Sequence, residues 1–363
     1  LLTWRAMTYW LGGMGIIALT LVMMPFAGAS GFKMYSAEAP GMMHEKITPR
    51  LRQTALYLWG IYFAFTAVLT LLLALGGMGF FEALNHSMAT VSTGGFSAAP
   101  NGMASFGNPF CEFIIIVFMY ISGANFVLHF YAIKNGTLKN YFRDPEFRFY
   151  TVVVVFLSVL ASLDVYFNGV GISLRSAVRN GSFQVVSFIT TTGFVSSDYG
   201  LWPAFTRTLL FICLFPGGCA ASTAGGIKQI RVLVMLRHIR RQISRMLNPR
   251  SVLVFPVGDG ALEPAVMSSC MAFFGLFFIV YALGAFAVSL YEPDLLTALS
   301  GAASALGNVG PAFGRLGPSC TFLGQTWQAK WIFSFLMLCG RLELYTVIAL
   351  FSGTFWREGI MEE

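Results

Sequence analysis

Charge is scarce in this sequence. Only 11% of its 363 residues are charged, against 56% hydrophobic, and the mean hydropathy is +0.70. A soluble domain carries about 25% charged residues, so this chain cannot coat a water-facing surface of its size. Alternating polarity is missing too. A membrane barrel shows segments of about 10 residues that alternate, whereas the apolar runs here are long and continuous. The expected class is an all-α integral membrane protein. No CxxC pair occurs among Cys111, Cys213, Cys219, Cys270, Cys320 and Cys339. They read as small buried hydrophobes, not as a metal site or a disulfide framework. His44, His86, His129 and His238 have no metal-ligand spacing, and His86 reads as a packing or hydrogen-bonding residue. Leu1 stands first in place of Met, and no signal peptide precedes the first apolar run.

Seven segments are long enough to cross a bilayer, which takes about 20 apolar residues. They lie near 4–26, 54–75, 109–133, 149–168, 203–235, 266–291 and 327–354. The net charge of +7 would suggest nucleic acid in a soluble protein, but here the basic residues cluster in loops. Lys33, Lys46, Arg50 and Arg52 share one. Lys134, Lys139, Arg143 and Arg148 share another. The stretch 228–250 holds Lys228, Arg231, Arg237, Arg240, Arg241, Arg245 and Arg250, and Arg357 lies near the end. The positive-inside rule makes these cytoplasmic. The stretch 76–112 has no Lys or Arg and lies on the other side. Arg175, Arg179, Arg207, Arg315 and Lys330 are an external minority.

Three outer connections, 76–108, 169–202 and 292–326, are too long and too apolar to be turns. Each starts with a short helical stretch of roughly 15 Å, half a bilayer. Each then enters Gly-, Thr- or Asn-containing sequence: Val91-Ser92-Thr93-Gly94-Gly95-Phe96, Thr190-Thr191-Thr192-Gly193-Phe194 and Ala305-Leu306-Gly307-Asn308-Val309-Gly310. Non-helical backbone at membrane depth needs protein or a water-filled cavity around it. Glycine near the middle of each following span (Gly123, Gly217 with Gly218, and Gly340) and in Trp10-Leu11-Gly12-Gly13-Met14-Gly15 completes a repeat of span, re-entrant loop, span. The expected units are 1–50, the second span of repeat 1 with a cytoplasmic loop; 51–148, repeat 2; 149–250, repeat 3; and 251–363, repeat 4. The beginning of the first repeat is expected to be missing.

A cation entering a pore must have its hydration shell replaced, and backbone carbonyls can do so. None of the three loop motifs contains Asp or Glu, which favours monovalent over divalent cations. The candidate filter residues are Ser92, Thr93, Gly94, Thr191, Thr192, Gly193, Leu306, Gly307 and Asn308. A second constellation, Phe215 to Lys228, has four glycines and Pro216 inside a span and cannot make a sound helix. It lacks the GK[ST] of a phosphate loop and the GxGxxG of a dinucleotide fold. A kinked, closely packed helix is one reading. An unwound segment able to block the pore, built on Gly217, Gly218, Gly225, Gly226 and Lys228, accounts better for its length. Third, Arg341 lies mid-span, where a charge costs at least about 2.5–3.5 kcal/mol. It should face an aqueous path, or brace carbonyls of the unwound segment. Glu343, two residues on, points elsewhere on a helix.

Together these motifs, ending in Gly340-Arg341-Leu342-Glu343 and Phe355-Trp356-Arg357, resemble the Trk/Ktr/HKT superfamily of potassium transporters, most of all the membrane subunit of bacterial Trk systems. The resemblance covers essentially the whole chain. It implies four span–pore–span repeats around one path for K⁺ in the bacterial inner membrane, and a homodimer. It also implies a cytoplasmic TrkA-like regulatory subunit that binds nucleotide, NAD or ATP/ADP, with no cofactor in this chain. It assigns Gly94, Gly193 and Gly307 as filter glycines, residues 217–226 as an intramembrane gating loop and Arg341 as the pore-facing arginine. A symporter coupled to Na⁺ or H⁺ is the alternative within transport. An intramembrane enzyme is remote, because the membrane acids Asp164 and Glu343 are isolated.

Overall fold

The computed structural model describes residues 1–14, 51–99, 102–169, 172–247, 256–257, 260–261, 264–318, 320–342 and 344–351. The rest of the first span, most of the loop 33–52, Arg250, Glu343 and Phe355-Trp356-Arg357 lie outside the described residues.

The described residues are helical apart from turns and one short antiparallel pairing of Pro256–Val257 with Gly260–Ala261. In chain order the helices are α1 (Leu2–Gly13), α2 (Leu51–Leu75), α3 (Phe80–Val91), α4 (Pro109–Ser122), α5 (Phe126–Asn135), α6 (Lys139–Arg143) and α7 (Pro145–Asn168). They continue as α8 (Leu174–Ile189), α9 (Ala204–Cys213), α10 (Gln229–Leu247), α11 (Pro264–Ser289), α12 (Leu295–Gly307), α13 (Trp327–Arg341) and α14 (Leu344–Leu350). Local chemistry starts several of them. Asn108, Asp144, Ser173, Asp294 and Thr326 each accept a backbone N–H of the first turn, and proline follows directly in α4 and α7. Both devices satisfy donors that a helix start leaves free.

The seven expected spans resolve into two kinds. Those that open a repeat, α2, α7 and α11, are unbroken and long enough to cross a membrane. Among the described residues, those that close repeats 2 and 3 are not straight. The segment 109–133 is α4 and α5, bent by 96° at Gly123. The segment 203–235 is α9, a non-helical stretch over 214–228, and the start of α10. The physical reason is the glycine that each closing span carries at mid-membrane, where the ladder of i→i−4 bonds gives way.

Between the spans of each repeat lies a short pore helix: α3, α8 and α12. Each packs on the opening and closing spans of its own repeat, as in α2–α3–α4, α7–α8–α9 and α11–α12–α13. Closing spans also pack on the next repeat's pore helix, α1 on α3 and α4 on α8. The pore helices are the buried centre. From Ser300 to Gly307, α12 is buried throughout, and small residues let its neighbours approach. The opposite faces of the long spans leave Phe63, Leu71, Val152, Phe156 and Leu283 exposed, as a lipid-facing wall requires. His86 is buried in α3, bonded to Glu82 O and Ser97 Oγ and stacked on Phe194.

Candidate ion pathway

All three pore helices end in the same backbone fold. Thr93, Thr191 and Asn308 take left-handed φ values of 53°, 53° and 57°, and two residues later Gly95, Gly193 and Gly310 have φ of 66°, 80° and 108°. The hydrogen bonds repeat as well. The N–H groups of Gly94, Thr192 and Val309 return to the carbonyls of Ala89, Ser187 and Ser304. A β-branched residue at positive φ is an outlier that costs about 1–3 kcal/mol and persists only where its surroundings hold it. Two threonines at matching places make it a shared design. Each pore helix also aims its C-terminal end, with about half a negative charge, at its loop.

By this register the equivalent residues are Gly95, Gly193 and Gly310, where the sequence-based set is Gly94, Gly193 and Gly307. Gly94 matches Thr192, and Gly307 matches Ser92 and Thr190. The requirement for glycine is steric and conformational at once. A Cβ on Gly95 would lie 1.7 Å from Thr192 O, and one on Gly193 would lie 2.0 Å from Val309 O. Successive loops therefore touch edge to edge, repeat 2 against 3 and 3 against 4. A Cβ on Gly310 would meet nothing within 4 Å among the described residues.

The floor of each loop belongs to the preceding repeat. A Cβ on Gly13 would fall 2.7 Å from both Ser92 Cβ and Tyr62 Oη, and one on Gly123 would fall 2.7 Å from both Thr190 Cγ2 and Tyr150 Oη. Those tyrosines donate to the carbonyls three residues before the glycines: Tyr62 Oη to Trp10 O at 2.8 Å, Tyr150 Oη to Tyr120 O at 3.0 Å. Neither tyrosine stood out in the sequence, where each is one aromatic among many in an apolar run.

Beneath the loops sits the segment 214–228. It is an unwound loop and not a kink. Gly217, Ala221, Gly226 and Lys228 are all left-handed. Gly217 and Gly226 let its two limbs touch, since a Cβ on either would lie within 3.0 Å of the other's backbone. Its base is closed by Ile227 N–H to Phe215 O (3.0 Å), Gln229 N–H to Gly218 O (2.9 Å) and Gln229 Nε2 to Gly217 O (2.8 Å). Its tip bonds to repeats 2 and 3. Thr223 Oγ1 reaches Val91 O (3.1 Å) and Ser122 O (3.2 Å), and Gly225 N–H donates to Thr191 Oγ1 (2.6 Å). Cys219 N–H donates to Gly123 O (2.8 Å), and Phe126 N–H to Ala221 O (3.0 Å). Gly225 lies against Gly307, where a Cβ would be 2.5 Å from the carbonyl. Lys228 Nζ donates back to Ala224 O.

Arg341 closes the arrangement from the side. Its guanidinium donates to Thr223 O at 3.3 Å, to Gly13 O at 3.3 Å and to Gly12 O. One side chain thus ties the unwound loop to the end of α1. Asn308 stands directly above. Oriented to satisfy both neighbours, its amide donates to Met337 O and accepts from Arg341 N–H, each at 3.2 Å. That N–H and that carbonyl would bond to each other in an intact helix. Asn308 thus bonds to both partners of one rung in the ladder of α13. Gly340 makes room for it, since a Cβ there would be 2.0 Å from Leu306 O.

Outside the membrane-spanning segments, Asp294 caps α12. The Thr297 hydroxyl beside it holds its carboxyl below the usual range, helped by backbone N–H groups and by Arg315. Arg315 also pairs with Glu292 at 3.1 Å. On the cytoplasmic side, Arg231 departs from the expected basic face. It is buried, stacks 3.8 Å over Phe273 and bonds to Ile227 O. Arg240 and Arg245 are exposed. No group of His, Cys, Asp and Glu able to hold a metal ion occurs among the described residues.

Left-handed residues in register, loops in edge contact and an unwound segment beneath them meet in one place, the candidate site. A family model described as TrkH, cation transport protein, matches residues 1–358. The chain belongs to the TrkH family. It is 38% identical over 359 residues to the Trk system potassium uptake protein TrkH of Escherichia coli (strain K12), covering 99% of this chain and 74% of that relative. It is 33% identical over 357 residues to TrkG of the same strain, covering 98% and 73%. The crystal structure of the potassium transporter TrkH from Vibrio parahaemolyticus superposes with a TM-score of 0.84 at 35% identity, covering 98% of this chain and 73% of that one. As a TrkH-family member the chain is a multi-pass transport protein of the bacterial inner membrane, and not an enzyme.

Proposed function

We propose that this chain takes up K⁺ through a pore whose filter is formed by residues 92–95, 190–193 and 307–310, with 217–226 and Arg341 as the gate. The observation that carries this reading is the position of the unwound loop. Its tip bonds to the base of the filter loops and to Arg341 at once. Backbone carbonyls without fixed carboxylates suit a monovalent cation, and the relatives are named for potassium uptake. Arg341 is a fixed positive charge beside the path. A cation at about 6 Å would meet roughly 3 kcal/mol of repulsion at an effective dielectric near 20. Conduction then requires Arg341 and the loop to move together.

The Trk system naming and the family resemblance support a homodimer regulated by a cytoplasmic TrkA-like subunit that binds NAD or ATP/ADP. Arg237, Arg240, Arg241 and Arg245 on α10 would face that subunit, with anionic lipid as their other partner. The repeats 51–148, 149–250 and 251–363 would each contribute one filter segment.

The test is selectivity. In the full-length protein, Gly193→Ser and Gly95→Ser should each lower the ratio of Rb⁺ to Na⁺ flux in proteoliposomes by tenfold or more, because the side chain must displace a neighbouring carbonyl. An unchanged ratio in normally folded variants would remove these loops from the filter.

A further inference from the structure

Glu146 is the second residue of α7 and is almost completely buried, at 5% exposure. Nothing in the filter or in the contact between Arg341 and Thr223 needs it. Yet its Oε1 accepts two backbone N–H groups from the unwound region, Ala220 at 2.6 Å and Ile230 at 3.1 Å. Ala220 lies where the chain enters the tip of the loop. Ile230 lies where it leaves and α10 begins. A single oxygen on another helix therefore holds both limbs.

The other bonds across the base, from Ile227, Gln229 and the Gln229 side chain, run within the segment itself. They would travel with it if it moved as a body. The contacts from Glu146 would not, because α7 is an unbroken membrane span. An ordinary helix cap bonds the start of its own helix. Glu146 caps a different helix, α10, and reaches the loop as well. The first N–H groups of a helix have no partner within it, and Oε1 supplies one to Ile230 as it does to Ala220.

We infer that Glu146 is the latch of the gate, a positioning residue that fixes the loop at 217–226 to the stationary span α7 and must release it when the pore opens. The inference rests on the assignment of this loop as the gate.

The experiment uses the full-length protein in proteoliposomes, with Cys219 kept as its single cysteine. Basal Rb⁺ flux is read together with labelling of Cys219 by a small water-soluble thiol reagent. Cys219 is buried in the closed loop, so the wild-type background should label slowly. Glu146→Ala removes both bonds and should raise basal flux about tenfold and expose Cys219. Glu146→Gln keeps an acceptor oxygen and should recover most of the closure and protection. If the alanine variant does not fold, Glu146→Asp replaces it. That side chain is one methylene short of the two N–H groups and should leak to an intermediate degree. Wild-type flux with a protected Cys219 in the Ala or Asp variant overturns the latch. A merely structural acid would lower thermal stability and leave flux and labelling unchanged, which also overturns it. Arg341→Ala separates the two levels. If it leaks while Glu146→Ala stays closed, the gate stands and the latch falls. If neither leaks, the gate assignment itself fails.

Discussion

Repeats 2 and 3 each break their closing span at glycine, and the two breaks are built differently. In repeat 2 the interruption is three residues, Gly123 to Asn125, between α4 and α5. Fixed groups surround it. Tyr150 bonds to Tyr120 O, Asn125 caps α5, and His129 Nε2 bonds to Ile121 O at 3.0 Å while Nδ1 meets Tyr141 Oη. In repeat 3 the interruption spans 214–228. Aromatic contacts from α11, Phe277 and Tyr281 on Phe215, flank its start, and its tip is held by single hydrogen bonds to several neighbours. A short break with dedicated struts is a bend. A long one, closed on itself and tethered at points, is an element that can leave as a unit. Equivalent positions in a repeated fold can thus diverge into scaffold and moving part without a change of architecture.

The largest test of that contrast is Arg341→Ala. It removes the bond to Thr223 O and the positive charge together, and basal Rb⁺ flux should rise by one to two orders of magnitude, given about 3 kcal/mol of lost repulsion. Equal or lower flux in the folded variant would make the arginine a brace. Gly123→Ala in the scaffold break should act on stability instead. Its Cβ would press on Thr190 and Tyr150, and overpacking costs about 1–3 kcal/mol. Thermal unfolding in detergent should show the loss, with any rise in basal flux well below that of Arg341→Ala. A leak as large as that of Arg341→Ala would erase the distinction between the breaks. Thr223→Val removes the hydroxyl that reaches Val91 O and Ser122 O. The net worth of one hydrogen bond is about 1 kcal/mol, so basal flux should rise roughly fivefold. The smallest effect belongs to Tyr150→Phe. It loses a single bond of similar worth and should lower stability slightly while leaving the response to the regulatory subunit intact.

Much of this was legible in the sequence because it rests on composition and period. Long apolar runs at 54–75, 149–168 and 266–291 became α2, α7 and α11 with little change. The pore helices were marked by length and by the Gly/Thr sequence that follows them. The unwound segment was marked by four glycines and Pro216, and the brace at Arg341 by the cost of a charge at that depth. What stayed hidden was register and partnership. Gly94-Gly95 and Gly307-Gly310 each offer two glycines, and only the backbone angles show which one matches Gly193. In the sequence Glu146 is one acid directly after Pro145. Its role depends on Ala220 and Ile230, far along the chain, and no local pattern carries such a contact. Arg231 was grouped with its basic neighbours, although helical phase turns it inward onto Phe273.

The amide of Asn308 has a thermodynamic consequence. It bonds to both Met337 O and Arg341 N–H, and its own backbone is part of the proposed filter loop. Under that proposal, ion occupancy and the setting of Arg341 are two variables sharing one group. If displacing Arg341 changes the energy of the Asn308 conformation, the affinity of the filter for its ion changes with it. By reciprocity the bound ion shifts the gate by the same factor. The transported cation would then be an effector of its own passage, and the occupied filter would favour one gate position over the other.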